Sequence, residues 1–295
     1  KVARQGYLNG LVYAPNELAD PALGRTDLLR AADLVRVGLA GTLRDYVLTT
    51  ADGSARALHE IDYNGQPAGY AHAPGEVVNY VENHDNETLF DLNAFRLPRD
   101  TAAHDRARVQ ALGMAFTAFS QGVAYFHAGI DTLRSKSMDR NSFDSGDWFN
   151  RLDWTYGDNH FGTGLPPASG NEPSWPWIAP RLADASIRPS PTDIAFARDA
   201  LRDLLRIRAS SSLFRLGEAA EVSRRQAFPN KGPAQNALVM AGHLEGRGLA
   251  GAGFEEILYL INVSPQAQVL DLPTERGKRY ALHPVLLSAG TADTR

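Results

Sequence analysis

The stretch GEVVNYVENHDN, residues 75–86, decides how this chain is to be read. A short apolar run ends at Val81 and gives way at once to Glu82, Asn83, His84, Asp85 and Asn86, side chains that donate and accept hydrogen bonds. That switch is what a buried strand shows where it leaves a sheet and opens into a loop. Two helical stretches follow, NETLFDLNAF (86–95) and DRARVQALGMAFTAF (105–119), and then a second apolar run, GVAYFHAG (122–129). In the longer helix Val109, Leu112, Phe116 and Phe119 fall on one face, as a crossover helix covering a parallel sheet requires. The order predicts a β-α-β unit with two buried strands. Polar groups at the C-terminal ends of such strands are the default place for a functional site in α/β folds.

Upstream, residues 1–76 mix short apolar runs with Gly, Pro, Asn and Asp, and contain one clear amphipathic stretch, Leu28 to Leu39, with Leu29, Ala32, Val35 and Leu39 at helical spacing. Downstream, RSKSMDRNSFDSGDWFN (134–150) reads as too polar and too rich in Gly and Ser for a core element. Residues 154–189 carry Pro, Gly, Asn and Trp with little periodicity, the mark of a functional loop at this length. SPTD then starts a helix, with Ser190 as N-cap, Pro191 in the first turn, Asp193 three residues after the cap, and an apolar face of Ile194, Ala197, Leu201 and Leu204. From about Phe214 the segments AEVSRRQAF, NALVMAGHL, EEILYLINVS, AQVLDL and RYALHPVLL are short, β-prone and separated by turn residues. The expected division is residues 1–213 as an α/β unit and 214–295 as an all-β domain.

Composition narrows the function. Across 295 residues, 43% hydrophobic and 22% charged content is that of an ordered globular chain, long enough for one large domain and a smaller one. A net charge of −4 without any Lys/Arg run gives no field to concentrate phosphates, so nucleic acid and anionic membrane are poor partners and a neutral or small substrate fits better. No stretch approaches the roughly 18 consecutive apolar residues of a membrane span. The absence of cysteine removes disulfides, cysteine-bound zinc and thiol nucleophiles, and leaves the compartment open. Eight histidines lack paired metal spacing, and no Walker loop, Rossmann fingerprint or G-x-S-x-G elbow occurs. Calcium bound through Asp, Asn and carbonyl oxygens stays open, with no location in the sequence. The opening KVARQGYLNG has neither an initiator Met nor an apolar leader, which predicts a processed terminus or a start inside a larger protein.

Two clusters could carry chemistry. In Glu82–Asn86 the amide, imidazole and carboxylate groups suit sugar hydroxyls, and a strand-end carboxylate can balance the positive charge of an oxocarbenium-like transition state. The competing reading makes Asp85 the N-cap of the following helix. The second cluster sets Arg134, Lys136, Asp139, Arg140, Asp144 and Asp147 beside Phe143 and Trp148. It suits a pyranose, whose C–H face packs on an aromatic ring, or equally a solvated loop of mutually neutralising charges. Trp154, Trp175 and Trp177 are either further sugar platforms or loop anchors.

The strings EIDYNGQPAGYA, VVNYVENHDNETLFD, GVAYFHAGIDTLRSKSMDRNSFDSGDWFNRLDWTY and GTGLPPASGNEPSW together resemble the pullulanase and limit dextrinase branch of the α-amylase family. The most specific are ENHDNETLFD, similar to the family motif ending the seventh barrel strand, and LRSKSMDRNSFDSGDWFN, similar to the loop after the eighth. The resemblance implies the C-terminal portion of a (β/α)8 barrel followed by an all-β sandwich. It also implies a parent enzyme that hydrolyses α-1,6-glucosidic bonds of pullulan, amylopectin and limit dextrins with retention and no required cofactor.

By the same resemblance Asp85 takes the role of transition-state stabiliser. His84 would bond hydroxyls of the sugar in subsite −1, with Asn86 beside it, and Arg134, Asn141 and Asp144 would line the substrate cleft. Asn141 departs from relatives that carry Asp there. The nucleophile and the general acid belong to motifs expected upstream of Lys1, and the C-terminus is expected to stop before the last strands of such enzymes. Glu82 and Glu87 match no catalytic motif of the family and receive no catalytic role. The alternative is a non-catalytic glucan-binding piece.

Overall fold

The computed structural model describes residues 4–293. Helix α1 (Arg25–Leu39) forms where the apolar spacing predicts it, and buries Leu28, Leu29, Ala32, Val37 and Leu39. Two small antiparallel hairpins follow, β1 (Val47–Thr49) with β2 (Ala55–Ala57), and β3 (Asp62–Tyr63) with β4 (Gln66–Pro67). The second turns through Asn64 and Gly65, both at positive φ (54° and 83°), which the Asn-Gly pair adopts at little cost.

The predicted β-α-β unit is present. Strand β5 (Val78–Asn79) pairs in parallel with β6 (Val123–Ala124), Val78 opposite Val123, and between them lie helices α2 (Leu89–Arg96) and α3 (Ala103–Phe119). The expectation of two buried strands needs correction. Each has only two residues, and Val78 and Val123 are 53% and 47% exposed. Among the described residues the strands form small separate sheets and no closed barrel.

Helix α3 also turns a different face inward. Arg106, Ala107, Gln110, Met114, Thr117 and Ala118 are buried, whereas Val109, Leu112 and Phe116 are only half-buried. Arg106 explains this orientation. Its guanidinium reaches inward to the carbonyls of Asn93, Pro98, Arg99 and Thr101, satisfying the end of α2 and the connection after it.

Beyond β6 come the short turns α4 (Asp147–Asn150) and α5 (Ala168–Asn171), and then α6 (Trp175–Leu182). The predicted loop of 154–189 therefore contains helical structure. Helix α7 (Pro191–Ala209) starts as its sequence requires. The Asp193 N–H donates to Ser190 Oγ (3.3 Å) and the Ser190 N–H to Asp193 Oδ2 (2.8 Å), and Ile194, Ala197 and Leu201 are buried. Near its end Arg208 donates to the carbonyls of Ala118, Ser120 and Gly122, capping α3 just before β6.

The C-terminal part differs from the expected sandwich. Residues 219–225 of AEVSRRQAF form helix α8 (Ala219–Arg225), rich in strong helix formers and stitched by Glu221 to Arg224 and Arg225. Then β7 (Gln226–Ala227), β8 (Val239–Glu245) and β9 (Glu256–Asn262) make one antiparallel sheet in the order β7-β8-β9. Gly242 of β8 faces Tyr259 of β9, where an added Cβ would meet the ring at 2.0 Å. AQVLDL and RYALHPVLL form no strand, because among the described residues no second sheet stands opposite to pair with them. Val269 and Leu287 stay exposed.

A single core cluster runs from Tyr7 through α1 and α3 to Tyr259 and Val263. Across it the buried Arg36 donates to Asp33 Oδ1 (2.8 Å), the Asn230 carbonyl (2.7 Å) and Gln235 Oε1 (2.5 Å), tying α1 to the chain ahead of β8. A second cluster of Phe90, Phe95, Leu133, Met138, Phe161, Ile178 and Ile194 lies beneath the loop that follows β5.

Candidate active site

The segment 82–88 is held at both ends. Glu82 is buried, accepts from the Leu89 N–H through Oε2 (2.5 Å) and meets His127 Nδ1 through Oε1 (3.3 Å), so it joins the loop to α2 and to the end of β6. Thr88, not Asp85, is the N-cap of α2, its Oγ1 accepting from the Asp91 N–H (3.2 Å). The capping alternative for Asp85 is thereby removed. Between these anchors Asn83 Oδ1 accepts from the Asp85 N–H (2.9 Å), and Asn86 adopts a left-handed conformation (φ 59°), which Asn tolerates better than most residues.

His84 and Asp85 therefore stand outward on a fixed backbone. Their side chains are 80% and 73% exposed, with Nε2 and Oδ1 3.9 Å apart. Glu87, like Glu82, is buried, so Asp85 is the carboxylate of this loop that faces solvent.

The second cluster splits in two. Its first half, expected to be too polar for the interior, is buried: Ser135, Lys136, Ser137, Met138 and Asp139 are each at most 1% exposed. The cause is Asp91, fully enclosed on α2. Its Oδ1 accepts from Ser135 Oγ (2.5 Å) and its Oδ2 from the Lys136 N–H (2.8 Å). Burial pushes this carboxyl up to about 6, with the hydrogen bonds opposing the shift. Lys136 Nζ donates to the carbonyls of His84 (3.3 Å) and Asn86, and burial lowers its pKa.

Asp139 organises the second half. It accepts from the Asn141 N–H (2.8 Å), Ser145 Oγ (2.6 Å) and Asn171 Nδ2 (2.9 Å), while Asn171 Oδ1 accepts from the Arg140 N–H (2.9 Å). The segment 154–189 thus folds back onto this loop. Arg140 Nε reaches Asn86 Oδ1 at 3.4 Å, bringing the two clusters together.

Asn141 and Asp144 are exposed on this scaffold. Arg134 is half-buried and donates to the Asn150 carbonyl (2.7 Å), so its guanidinium is engaged within its own loop. Trp148 bonds the Thr163 carbonyl, and Trp175 the Pro166 carbonyl, as anchors. Phe143, Trp154 and Trp177 are exposed rings.

Glu82, His127, Asp91 and the inward role of Lys136 escaped the sequence reading. One signal was present: T-L-F-D, residues 88–91, is the spacing of a helix start with an acidic third residue. The described residues bring one trio of metal-ligand types together, His243, Glu256 and Glu275 on and beside the C-terminal sheet. There Lys278 Nζ lies 2.7 Å from Glu256 and 3.0 Å from Glu275, in the position a cation would take. No helix is long and apolar enough to cross a membrane among the described residues.

Residues 156–295 match the family model described as alpha-1,6-glucosidases, pullulanase-type, C-terminal. The chain is 38% identical over 292 residues to a chloroplastic pullulanase of Arabidopsis thaliana, covering 96% of this chain and 30% of that protein. It is 37% identical over 271 residues to the pullulanase of Klebsiella pneumoniae, covering 90% of this chain and 25% of that one. The crystal structure of apo pullulanase from Klebsiella pneumoniae superposes with a TM-score of 0.84 at 38% identity, over 89% of this chain and 28% of that one. The same enzyme complexed with maltotriose gives a TM-score of 0.84 over 25% of its chain. This chain thus spans less than a third of the length of these relatives. It belongs to the pullulanase family and corresponds to the C-terminal part of its members.

Proposed function

We propose that this chain supplies one side of the substrate cleft of a parent α-1,6-glucosidase that debranches pullulan, amylopectin and limit dextrins with retention. In this reading β5 and β6 are adjacent strands of a (β/α)8 barrel completed elsewhere in the parent. Residues 1–213 belong to that barrel, and 214–295 form a separate C-terminal domain. Asp85 stabilises the positive charge developing on the sugar ring, His84 and Asn86 bond hydroxyls beside it, and Arg134, Asn141 and Asp144 border the cleft. The nucleophile and general acid come from outside this chain.

The observation that carries the reading is the pairing of His84 and Asp85, turned to solvent after β5 on a backbone fixed by Glu82, Thr88 and Lys136. A carboxylate so held needs no reorganisation when charge develops, and this is the condition for electrostatic catalysis. The maltotriose complex of the Klebsiella enzyme supports an α-glucan as ligand class.

The test is Asp85→Asn in the parent enzyme. Size and most hydrogen bonds are kept and the charge is lost. The KM for pullulan should change little while kcat falls by roughly a hundredfold or more, equivalent to about 3 kcal/mol of transition-state stabilisation. Full turnover by the Asn variant would remove Asp85 from the role.

A further inference from the structure

We infer that Lys136 is a positioning residue for this site, fixing the direction of His84 and Asp85 from beneath without touching substrate. The inference rests on the role proposed for Asp85. Lys136 is 1% exposed, and its ammonium donates to the carbonyls of His84 and Asn86, the residues on either side of Asp85. Both carbonyls are thereby held to one point in the interior. The left-handed turn at Asn86 lies between two restraints, this bond to its carbonyl and the Arg140 contact to its side chain. The lysine is itself fixed: its N–H donates to Asp91 on α2, and the Ser135 hydroxyl beside it bonds the same carboxylate.

Core packing does not call for this arrangement. An interior cation is costly unless its donors are satisfied, and an unbranched apolar side chain such as Met fills a similar volume without that cost. What the ammonium adds is a pair of hydrogen bonds to the backbone flanking one outward carboxylate. A site that must hold charge to within a fraction of an ångström depends on such support.

Two measurements test this. Hydrogen exchange on the 295-residue chain should show amides of 83–87 exchanging about tenfold faster in Lys136→Met than in the unaltered chain, with the β8–β9 hairpin unchanged. Equal exchange in 83–87 overturns the proposal. Should the Met variant lose protection throughout, Lys136→Gln, which keeps a shorter neutral donor, is read in the same way. In the parent enzyme, Lys136→Met should lower kcat on pullulan about tenfold or more, with KM within about twofold. In an Asp85→Asn background the same substitution should cost less than about twofold, because a residue acting through Asp85 has nothing left to position. Additive losses would make Lys136 merely structural. A parent enzyme without action on pullulan would sink the functional reading, and the exchange experiment would still decide whether Lys136 holds the loop.

Discussion

At the scale of single residues, buried groups explain why exposed ones point where they do. Asp91 is the clearest case, because its carboxyl, raised from 3.8 to about 6 by burial, holds Ser135 and the backbone of Lys136. A carboxyl whose pKa is higher folded than unfolded binds its proton more tightly in the native state. Its contribution is fully present below the unfolded value and is lost as pH rises through the folded one. Between about pH 4 and pH 6 this group alone should lower stability by about 3 kcal/mol. Asp91→Asn should flatten that part of the stability profile, measured by denaturant melts across the range. An unchanged slope would show that other groups set it. None of this was legible in advance. Asp91 reads as one more polar position of a short helix, and RSKSMD reads as solvated until the partner that draws it inward is known.

At the scale of elements, strong helical periodicity translated directly: α1, α3 and α7 form where spacing and caps predict them, and the β-α-β order holds. Facing was less legible than existence. The apolar positions of α3 predicted one buried face, and Arg106 turned another inward because the end of α2 needed its donors. The C-terminal expectation failed for a related reason. Short apolar runs such as AQVLDL become strands only where an edge is available, and α8 follows its own helix propensity. The start of α2 gives a test at this scale. Thr88 caps it and Asp85 does not, so Thr88→Ala should cost about 1 kcal/mol of stability whereas Asp85→Ala should cost almost none. Chemical denaturation of both variants checks this, and a larger loss for Asp85→Ala would restore the capping reading.

At the scale of the whole molecule, the chain has a continuous core and an incomplete catalytic apparatus. The core passes from α1 to β9 without a break at residue 214, so the proposed division is a boundary of sequence character crossed by shared packing and by Arg36. The site is different, since retaining hydrolysis requires two carboxyl groups about 5–5.5 Å apart, one as nucleophile and one as acid. Along the loop after β5, Asp85 faces solvent, while Glu82 is closed in by the Leu89 N–H and His127, and Glu87 is buried. Asp144 and Asp147 sit exposed on the neighbouring loop, where no general acid with a raised pKa is formed by burial. A transition-state stabiliser without its nucleophile and acid lowers no barrier by bond formation or proton transfer. The purified 295-residue chain should therefore release no reducing sugar from pullulan above a buffer control. Turnover abolished by Asp85→Asn in that same preparation would mean that the missing carboxyl groups are already present in this chain, and the division of labour proposed for it would have to be redrawn.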